Sequence, residues 1–254
     1  MSNFELIKNK KLLLEPPNFT CDGELAPHLK NYDMLNFMNG FFFTGIVGRP
    51  ASGKTSFLIS LLNGKKEKRV FRKVFDHVII VMPTNSIASM KKNIFKNHLK
   101  EKMFNELTYD TISNIYSKLE IATADKETTL LIMDDVGASL KNPEIKTIMR
   151  KIIFNRRHLK VNIIILLQSF MSLEKEIRKL FSNIITFKPS KTEMENLMNE
   201  MFEMKKDVAL ELMNYIFVKK HDNLFLNVET QRMFSDFDEI IIHDSDTDEI
   251  KSIT

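Results

Sequence analysis

Cysteine, glycine and long apolar stretches are scarce in this chain of 254 residues. The single cysteine, Cys21, cannot form a disulfide within the chain, and residues 1–11 lack the long apolar core of a secretory signal, so we expect an intracellular protein. Apolar runs such as 163–167 fall far short of the roughly 18 residues that span a bilayer. The sequence therefore predicts that the protein is not an integral membrane protein.

The composition is that of a folded, basic protein. Hydrophobic residues make up 43% and charged residues 28%, which excludes a wholly disordered or fibrous chain. Seven acidic residues and one lysine follow position 235, so residues 1–235 carry a net charge of +10 where the whole chain carries +4. This basic body favours a polyanionic partner such as nucleic acid, or is simply a solvated lysine-rich surface.

Short apolar runs alternate with segments of helical periodicity, as in an α/β fold with a mostly parallel sheet flanked by helices. We predict an N-terminal arm at 1–38, a main domain at 39–240 that closes with a hairpin turning at 221–223, and a disordered acidic tail at 241–254. The strands are expected at 40–48, 77–82, 129–135, 161–168 and 183–188. The helices are expected at 55–62, 144–157, 173–181, 192–201 and 205–214, with two more between 87 and 119.

The most specific motif is GRPASGKT, which matches the phosphate-binding pattern G-x-x-x-x-G-K-[ST]. Only seven glycines occur in the chain, so a chance match is rarer than in an average protein. A predicted buried strand precedes the motif and a helix follows it, as a loop that wraps phosphates with backbone N–H groups requires. The residues expected to bind ATP are Gly48, Arg49, Pro50, Ala51, Ser52, Gly53, Lys54, Thr55 and Ser56. Lys54 is expected to neutralise β- and γ-phosphate oxygens.

A carboxylate that holds Mg²⁺ is expected at the end of an apolar strand, and LLIMDD provides it. We predict that Thr55 and Asp134 bind the metal and that Asp135 orients the attacking water. Asp135 is one methylene shorter than the glutamate usually found at this position, so a hydrogen-bonding or capping role is the alternative.

The predicted strand at 77–82 and further helices separate the loop from the acidic strand. This spacing favours the additional-strand division of P-loop ATPases, which includes RecA-like motors and AAA+ proteins. In that layout Gln168, at the end of the next strand, contacts the γ-phosphate or the attacking water, and the alternative is a polar strand end that faces solvent.

Arginines are candidates to stabilise charge on the transferring phosphoryl group. Arg156 and Arg157 end a helix at what we expect to be an edge of the sheet, from which they can reach the nucleotide of a neighbouring subunit. Arg49 can act within its own loop, and Arg178 is a weaker candidate. Each is otherwise a surface cation near a helix C-terminus. The basic segment 65–73 is the favoured DNA-binding patch, or a solvated face.

The ordered set GRPASGKT, LLIMDDVG and FNRRHLKVNIIILLQSF resembles the poxvirus-type DNA packaging ATPases of nucleocytoplasmic large DNA viruses, within the FtsK/HerA superfamily. The resemblance covers about residues 40–240, and its most distinctive element is the RRH before an apolar strand ending in Gln. It places the phosphate loop at 48–55, the magnesium aspartate at Asp134, the second acidic residue at Asp135, the polar sensor at Gln168 and the basic pair at Arg156 or Arg157. Arg49 and Pro50 depart from the small residues common in that loop.

The resemblance implies an ATP-hydrolysing motor that assembles as a homo-oligomeric ring and moves double-stranded viral DNA into a preformed capsid. It further implies a capsid vertex protein, or a capsid or membrane protein, as partner, and a location in the host cytoplasm at the virus factory and in the virion. The alternatives are an ATP-dependent helicase or helicase loader, a nucleotide kinase, and a scaffold that binds ATP only to assemble. The residues of the phosphate loop, the acidic strand and the polar sensor are all intact, which argues against the scaffold. A nucleotide kinase normally has an arginine-rich lid, and the sequence shows none.

Overall fold

The computed structural model describes residues 4–7, 38, 41–63, 70–88, 95 and 98–242. Most of the predicted N-terminal arm, residues 65–69 of the basic segment 65–73 and residues 243–254 of the predicted tail lie outside these ranges. Where the structure describes the chain, it contains no helix of the length and apolar character needed to cross a bilayer.

One mixed sheet organises the described residues, in the order β1-β10-β9-β8-β7-β2-β6-β5-β3-β4. The strands from β7 to β4 are parallel, and β8, β9, β10 and β1 extend the sheet in antiparallel fashion. Their bounds are β1 Phe4–Ile7, β2 Phe43–Val47, β3 His77–Val81, β4 Met103–Phe104, β5 Thr129–Asp134, β6 Val161–Leu167, β7 Asn183–Phe187, β8 Asn223–Asn227, β9 Arg232–Ser235 and β10 Asp238–Ile242. The predicted fold class is confirmed, because β6 lies as an additional strand between the loop-bearing β2 and the acidic β5.

Helices cover both faces of this sheet. Their bounds are α1 Lys54–Asn63, α2 Thr84–Ala88, α3 Tyr109–Ala124, α4 Pro143–Phe154, α5 Lys175–Arg178, α6 Lys191–Phe202 and α7 Lys206–Ile216. Leu58 and Leu61 of α1 pack on one face, with the aromatic rings of the antiparallel strands. The long helices α3, α4, α6 and α7 pack on the other face. Strands β5 and β6 between these layers are buried along their whole length, which explains their continuous apolar sequences.

Local capping sets several helix boundaries. The side chain of Asn142 accepts hydrogen bonds from the backbone amides of Glu144 and Ile145, and Pro143 occupies the first turn, so α4 begins there. Thr108 caps α3 in the same way through the amide of Thr111. The predicted helix at 173–181 was wrong in extent, because only the four residues of α5 are α-helical and a 3-10 turn at Phe170–Ser172 precedes them. Of the two helices expected between 87 and 119, one corresponds to α3, which starts at Tyr109, and residues 89–94 and 96–97 lie outside the described ranges.

The predicted hairpin turn at 221–223 was wrong. Helix α7 continues to Ile216 because its apolar residues pack at helical spacing, and a turn over 218–222 then leads into β8. The hairpins lie further along the chain, between β8 and β9 and between β9 and β10. Gln231, Asp236 and Phe237 adopt positive φ in those turns. Strand β10 reaches Ile242, two residues beyond the predicted end of the main domain, and pairs with β1 from the start of the chain.

Candidate nucleotide-binding site

The GRPASGKT motif forms the connection between β2 and α1. The amide of Gly48 donates to the carbonyl of Leu167 at 3.0 Å, which ties the start of the loop to the end of β6. A Cβ on Gly48 would lie 2.6 Å from Ser52 Oγ, and Gly53 has φ of +114°, so both positions require glycine. Ala51 also adopts a positive φ of 60°, a conformation that costs a non-glycine residue about 1 kcal/mol.

Lys54 reaches back across this loop from the first residue of α1. Its ammonium donates to the carbonyls of Gly48 at 2.5 Å and Arg49 at 3.0 Å. Burial lowers the pKa of Lys54, while the nearby charges of Asp134 and Asp135 oppose that shift. The predicted lysine and both predicted carboxylates therefore lie in one electrostatic cluster.

Asp134 ends β5 and is almost completely buried, with 9% of its surface exposed. Burial raises the pKa of Asp134, and the Lys54 ammonium and a hydrogen bond from Ser86 oppose this effect. Ser86 belongs to the short helix α2, which follows β3 at the same edge of the sheet. The sequence analysis missed Ser86, although its place just after a buried strand was the available signal.

Asp135 and Gln168 follow neighbouring parallel strands and meet at their carboxyl ends. Gln168 Nε2 donates to Asp135 Oδ1 at 3.4 Å, and both side chains are exposed. Asp135 adopts φ of 55°, a left-handed conformation that aspartate and asparagine tolerate better than most residues. The structure thus brings together the two residues proposed from sequence to contact water and γ-phosphate.

The donors available for Mg²⁺ are hard oxygen atoms, which this ion prefers. Thr55 is the second residue of α1 and is half-buried, and Asp134 contributes one carboxylate. Within the described ranges, no group of three or more His, Cys, Asp or Glu side chains is arranged to hold a metal ion. Mg²⁺ at a phosphate site takes one or two carboxylates together with substrate phosphates, so Thr55 and Asp134 fit it.

Arg156 lies at the opposite end of the parallel strands from the phosphate loop. Its guanidinium donates to the Phe41 carbonyl at 2.7 Å, the Ile153 carbonyl at 3.2 Å and Ser182 Oγ at 3.5 Å, and it lies 3.9 Å from Glu229. Phe41 and Ser182 precede the starts of β2 and β7, whereas the loop follows the end of β2. Burial lowers the pKa of Arg156. The expectation that this arginine pair lies at an edge of the sheet was wrong, because the pair precedes β6, which is an interior strand.

The other candidate arginines differ in their surroundings. Arg157 is exposed, and within the described residues no hydrogen bond or ion pair of its side chain is found. Arg178 is 7% exposed, pairs with Glu200 at 2.7 Å, donates to the Leu173 carbonyl at 2.7 Å and stacks over Phe170. Arg178 therefore fastens α5 to α6 and is not available to a nucleotide. Arg49 is exposed within the loop.

His221 is a further residue at this site that the sequence analysis missed. Its Nδ1 lies 2.8 Å from the carbonyl oxygen of Ser52, and its ring approaches Gly53. The analysis placed His221 in a hairpin turn, so the pattern gave no indication of a contact with the loop.

The phosphate-binding loop follows the parallel strand β2, and one further strand, β6, separates β2 from the acidic strand β5. This arrangement defines a P-loop NTPase of the additional-strand class. Residues 29–253 match the family described as poxvirus A32 protein, and the chain belongs to that family.

Individual relatives agree with this assignment. The DNA packaging protein OPG160 of Vaccinia virus (strain Copenhagen) is 27% identical over 201 residues, which cover 76% of this chain and 71% of that protein. The same figures hold for OPG160 of Variola virus. The genome packaging NTPase B204 of Sulfolobus turreted icosahedral virus 2, in complex with ATP-gammaS, has a TM-score of 0.56 at 16% identity and covers 78% of this chain and 98% of that one. This similarity shows a shared fold.

Proposed function

We propose that the protein is an ATP-hydrolysing motor that moves double-stranded viral DNA into the capsid. The observation that carries this proposal is the convergence of Lys54, Asp134, Asp135 and Gln168 around one phosphate-binding loop. Membership of the poxvirus A32 family, and relatives described as DNA packaging proteins, support the coupling of hydrolysis to packaging.

Each residue of the proposed site has its own chemical role. Lys54 neutralises the β- and γ-phosphates when it leaves the carbonyls of Gly48 and Arg49. Thr55 and Asp134 would hold Mg²⁺, which neutralises the charge on the phosphate oxygens. Asp135 orients the attacking water, and Gln168 holds that carboxylate and senses the γ-phosphate.

An arginine supplied by a neighbouring subunit completes the proposed site. Arg157 precedes the start of β6 and Gln168 follows its end, so the seven residues of β6 separate them by about 20 Å. Arg157 therefore cannot reach the γ-phosphate of its own loop, and a homo-oligomeric ring would bring it to the next one. The contacts of Arg156 give it a structural role, and Arg49 acting in cis is the alternative finger.

The basic segment 65–73 remains our proposed DNA contact, although residues 64–69 lie outside the described ranges. Of its remaining cations, Lys73 is exposed, whereas Arg72 is buried and does not belong to a DNA-binding surface. We also propose a capsid vertex protein, or a capsid or membrane protein, as partner, and the cytoplasmic virus factory and the virion as locations.

ATP turnover measured with duplex DNA, with single-stranded DNA and without DNA tests the function. Preferential stimulation by duplex DNA that falls steeply with salt, because backbone contacts release counterions, supports a packaging motor. Preferential stimulation by single strands would favour a helicase or helicase loader. ATP binding without turnover would favour a scaffold, and Lys54→Ala provides the inactive control.

A further inference from the structure

Glu193, in the first turn of α6, holds the backbone just beyond Gln168. Its carboxylate accepts a hydrogen bond from the amide of Phe170, 23 residues earlier in the chain, at 2.6 Å. Phe170 is two residues after Gln168 and begins the 3-10 turn that follows β6. A short bond from an amide to a carboxylate is charge-assisted and is about twice as strong as a neutral hydrogen bond. Glu193 is therefore a strong anchor for the segment that carries Gln168.

The local sequence predicts a different partner for this carboxylate. Residues 190–193 read SKTE, the capping-box pattern, in which the glutamate accepts from the backbone amide of the N-cap serine. One half of the box is present, because Ser190 Oγ accepts from the amide of Glu193 at 3.2 Å. The carboxylate is directed to Phe170 instead. Glu193 thus stabilises the turn after β6 and leaves the box of its own helix half formed.

The position of Gln168 depends on the backbone that flanks it. Its own hydrogen bond to Asp135 measures 3.4 Å between exposed side chains, longer than the usual 2.7 to 3.2 Å, and is too weak to fix the side chain. On the N-terminal side, β6 pairs with β2 and β5 up to its end. On the C-terminal side, the ring of Phe170 is completely buried and its amide is bound by Glu193. The anchor at Phe170 is therefore the contact that completes the placement of Gln168.

We propose that Glu193 is a positioning residue for the γ-phosphate sensor. Its hydrogen bond to the Phe170 amide sets where Gln168 lies relative to Asp135 and the γ-phosphate, and Glu193 acts on hydrolysis through Gln168 alone. A shift of about 1 Å in a reacting group can cost about a hundredfold in rate, so such an anchor matters for turnover. This inference rests on the proposed ATPase function.

A second route from Glu193 to the nucleotide has to be separated from this one. Helix α6 begins beside the phosphate loop, since residues 187–191 and loop residues 49–52 line the same cavity of about 540 Å³. A displaced helix α6 would therefore disturb the loop. The loop holds phosphates that ATP and ADP share, whereas the proposed sensor contacts only the γ-phosphate. The two routes consequently differ in their effect on ADP.

The first measurement is steady-state hydrolysis of Mg-ATP by the full chain. Glu193→Ala should lower kcat by about tenfold and change the KM for ATP by less than about twofold. Glu193→Gln keeps an oxygen that accepts from Phe170, and should restore kcat to within about threefold of the wild type. Glu195→Ala is the matched control, because it removes a glutamate from the same helix together with an ion pair to Lys206, and should leave kcat unchanged.

The second measurement is a double-mutant cycle with Gln168→Ala, read out as binding of Mg-ATPγS and Mg-ADP. Glu193→Ala and Gln168→Ala should each weaken ATPγS binding by about fivefold and ADP binding by less than about twofold. The double variant should bind ATPγS no more weakly than Gln168→Ala alone, because Glu193 has no effect once its target is absent. Binding remains measurable in variants that do not hydrolyse ATP.

Three results would overturn the proposal. Equal weakening of ATPγS and ADP binding by Glu193→Ala would assign its effect to the phosphate loop. Multiplied effects in the double variant would show that Glu193 and Gln168 act independently. A Glu193→Gln variant as slow as Glu193→Ala would show that the hydrogen bond to Phe170 is not responsible. If the wild-type protein neither binds ATPγS nor hydrolyses ATP, the ATPase proposal itself fails.

Discussion

The imidazole Nδ1 of His221 lies 2.8 Å from the carbonyl oxygen of Ser52, 169 residues earlier in the chain. The carbonyl can only accept, so Nδ1 donates, and the turn before β8 holds the phosphate loop from outside. The neighbouring Ala51 is in a left-handed conformation, which needs such support. The antiparallel half of the sheet is thereby connected to the catalytic loop of the parallel half.

Loss of this hydrogen bond should raise the KM for ATP. His221 has φ of 73°, and both asparagine and glycine tolerate that conformation. The amide nitrogen of asparagine stands the same number of bonds from Cα as Nδ1, so His221→Asn should keep the contact. We expect His221→Gly to raise KM about fivefold, for a hydrogen bond worth about 1 kcal/mol, with kcat nearly unchanged. Equal KM values for the two variants would contradict a positioning role.

Asp135→Asn should bind ATP normally and hydrolyse it slowly. Asparagine also tolerates the left-handed φ at this position, so the backbone and the neighbouring Gln168 should stay in place. Removal of the water-orienting charge should lower kcat by about 10²-fold or more. Single-turnover hydrolysis and nucleotide affinity measured side by side check this, and wild-type turnover would show that Asp135 has a structural role.

Asp134→Asn should raise the melting temperature of the nucleotide-free protein at neutral pH without Mg²⁺. The folded-state pKa of Asp134 is raised by burial, so folding favours the neutral carboxyl and the ionised form opposes folding. The neutral amide removes that penalty. The gain should begin to decrease as the pH falls below the raised pKa and should vanish near the ordinary aspartate pKa of about 3.9, where the carboxyl is protonated in both the folded and the unfolded protein. Thermal melts of both proteins from neutral to acid pH measure this, and a difference independent of pH would exclude Asp134 ionisation as its cause.

The two neighbouring arginines should differ in their contribution to the stability of the fold. Arg156→Ala loses hydrogen bonds to Phe41, Ile153 and Ser182, and should lower the free energy of unfolding by about 2 kcal/mol. Arg157→Ala, at an exposed position, should change it by less than about 0.5 kcal/mol. Urea unfolding curves test both values.

If Arg157 acts in trans, Arg157→Ala should abolish turnover, and mixing it with Lys54→Ala should partly restore it. Some interfaces then combine an intact loop with an intact arginine. Mixed assembly must first be verified, for example by co-purification of two differently tagged variants. Absence of recovery in verified mixed assemblies, each variant alone being inactive, would indicate a cis role and favour Arg49.

The parts of the site that follow from adjacent residues could be predicted from the sequence. The glycines of the loop, Lys54 and the strand ends at Asp134 and Gln168 are set by local patterns, and parallel pairing brings those strand ends together. The role of Arg156 could not be predicted, because it depends on the carbonyl of Phe41, 115 residues away. The contact of His221 could not be predicted either. The apolar residues before it were interpreted as a strand that leads into a hairpin, whereas they form the last turn of α7.

Strand β1 has a consequence for the synthesis of the protein. Phe4–Ile7 pairs with Asp238–Ile242, so β1 leaves the ribosome well before its partner strand β10 has been made. Translation at about 5 to 20 residues per second makes the interval between the synthesis of β1 and that of β10 roughly 10 to 50 s. During that time β2 to β7 can assemble as a sheet, while the backbone of β1 has no partner strand. A nascent-chain chaperone that shields β1 would therefore act over this interval, and its removal should reduce the yield of native protein more than it slows folding of the parallel core.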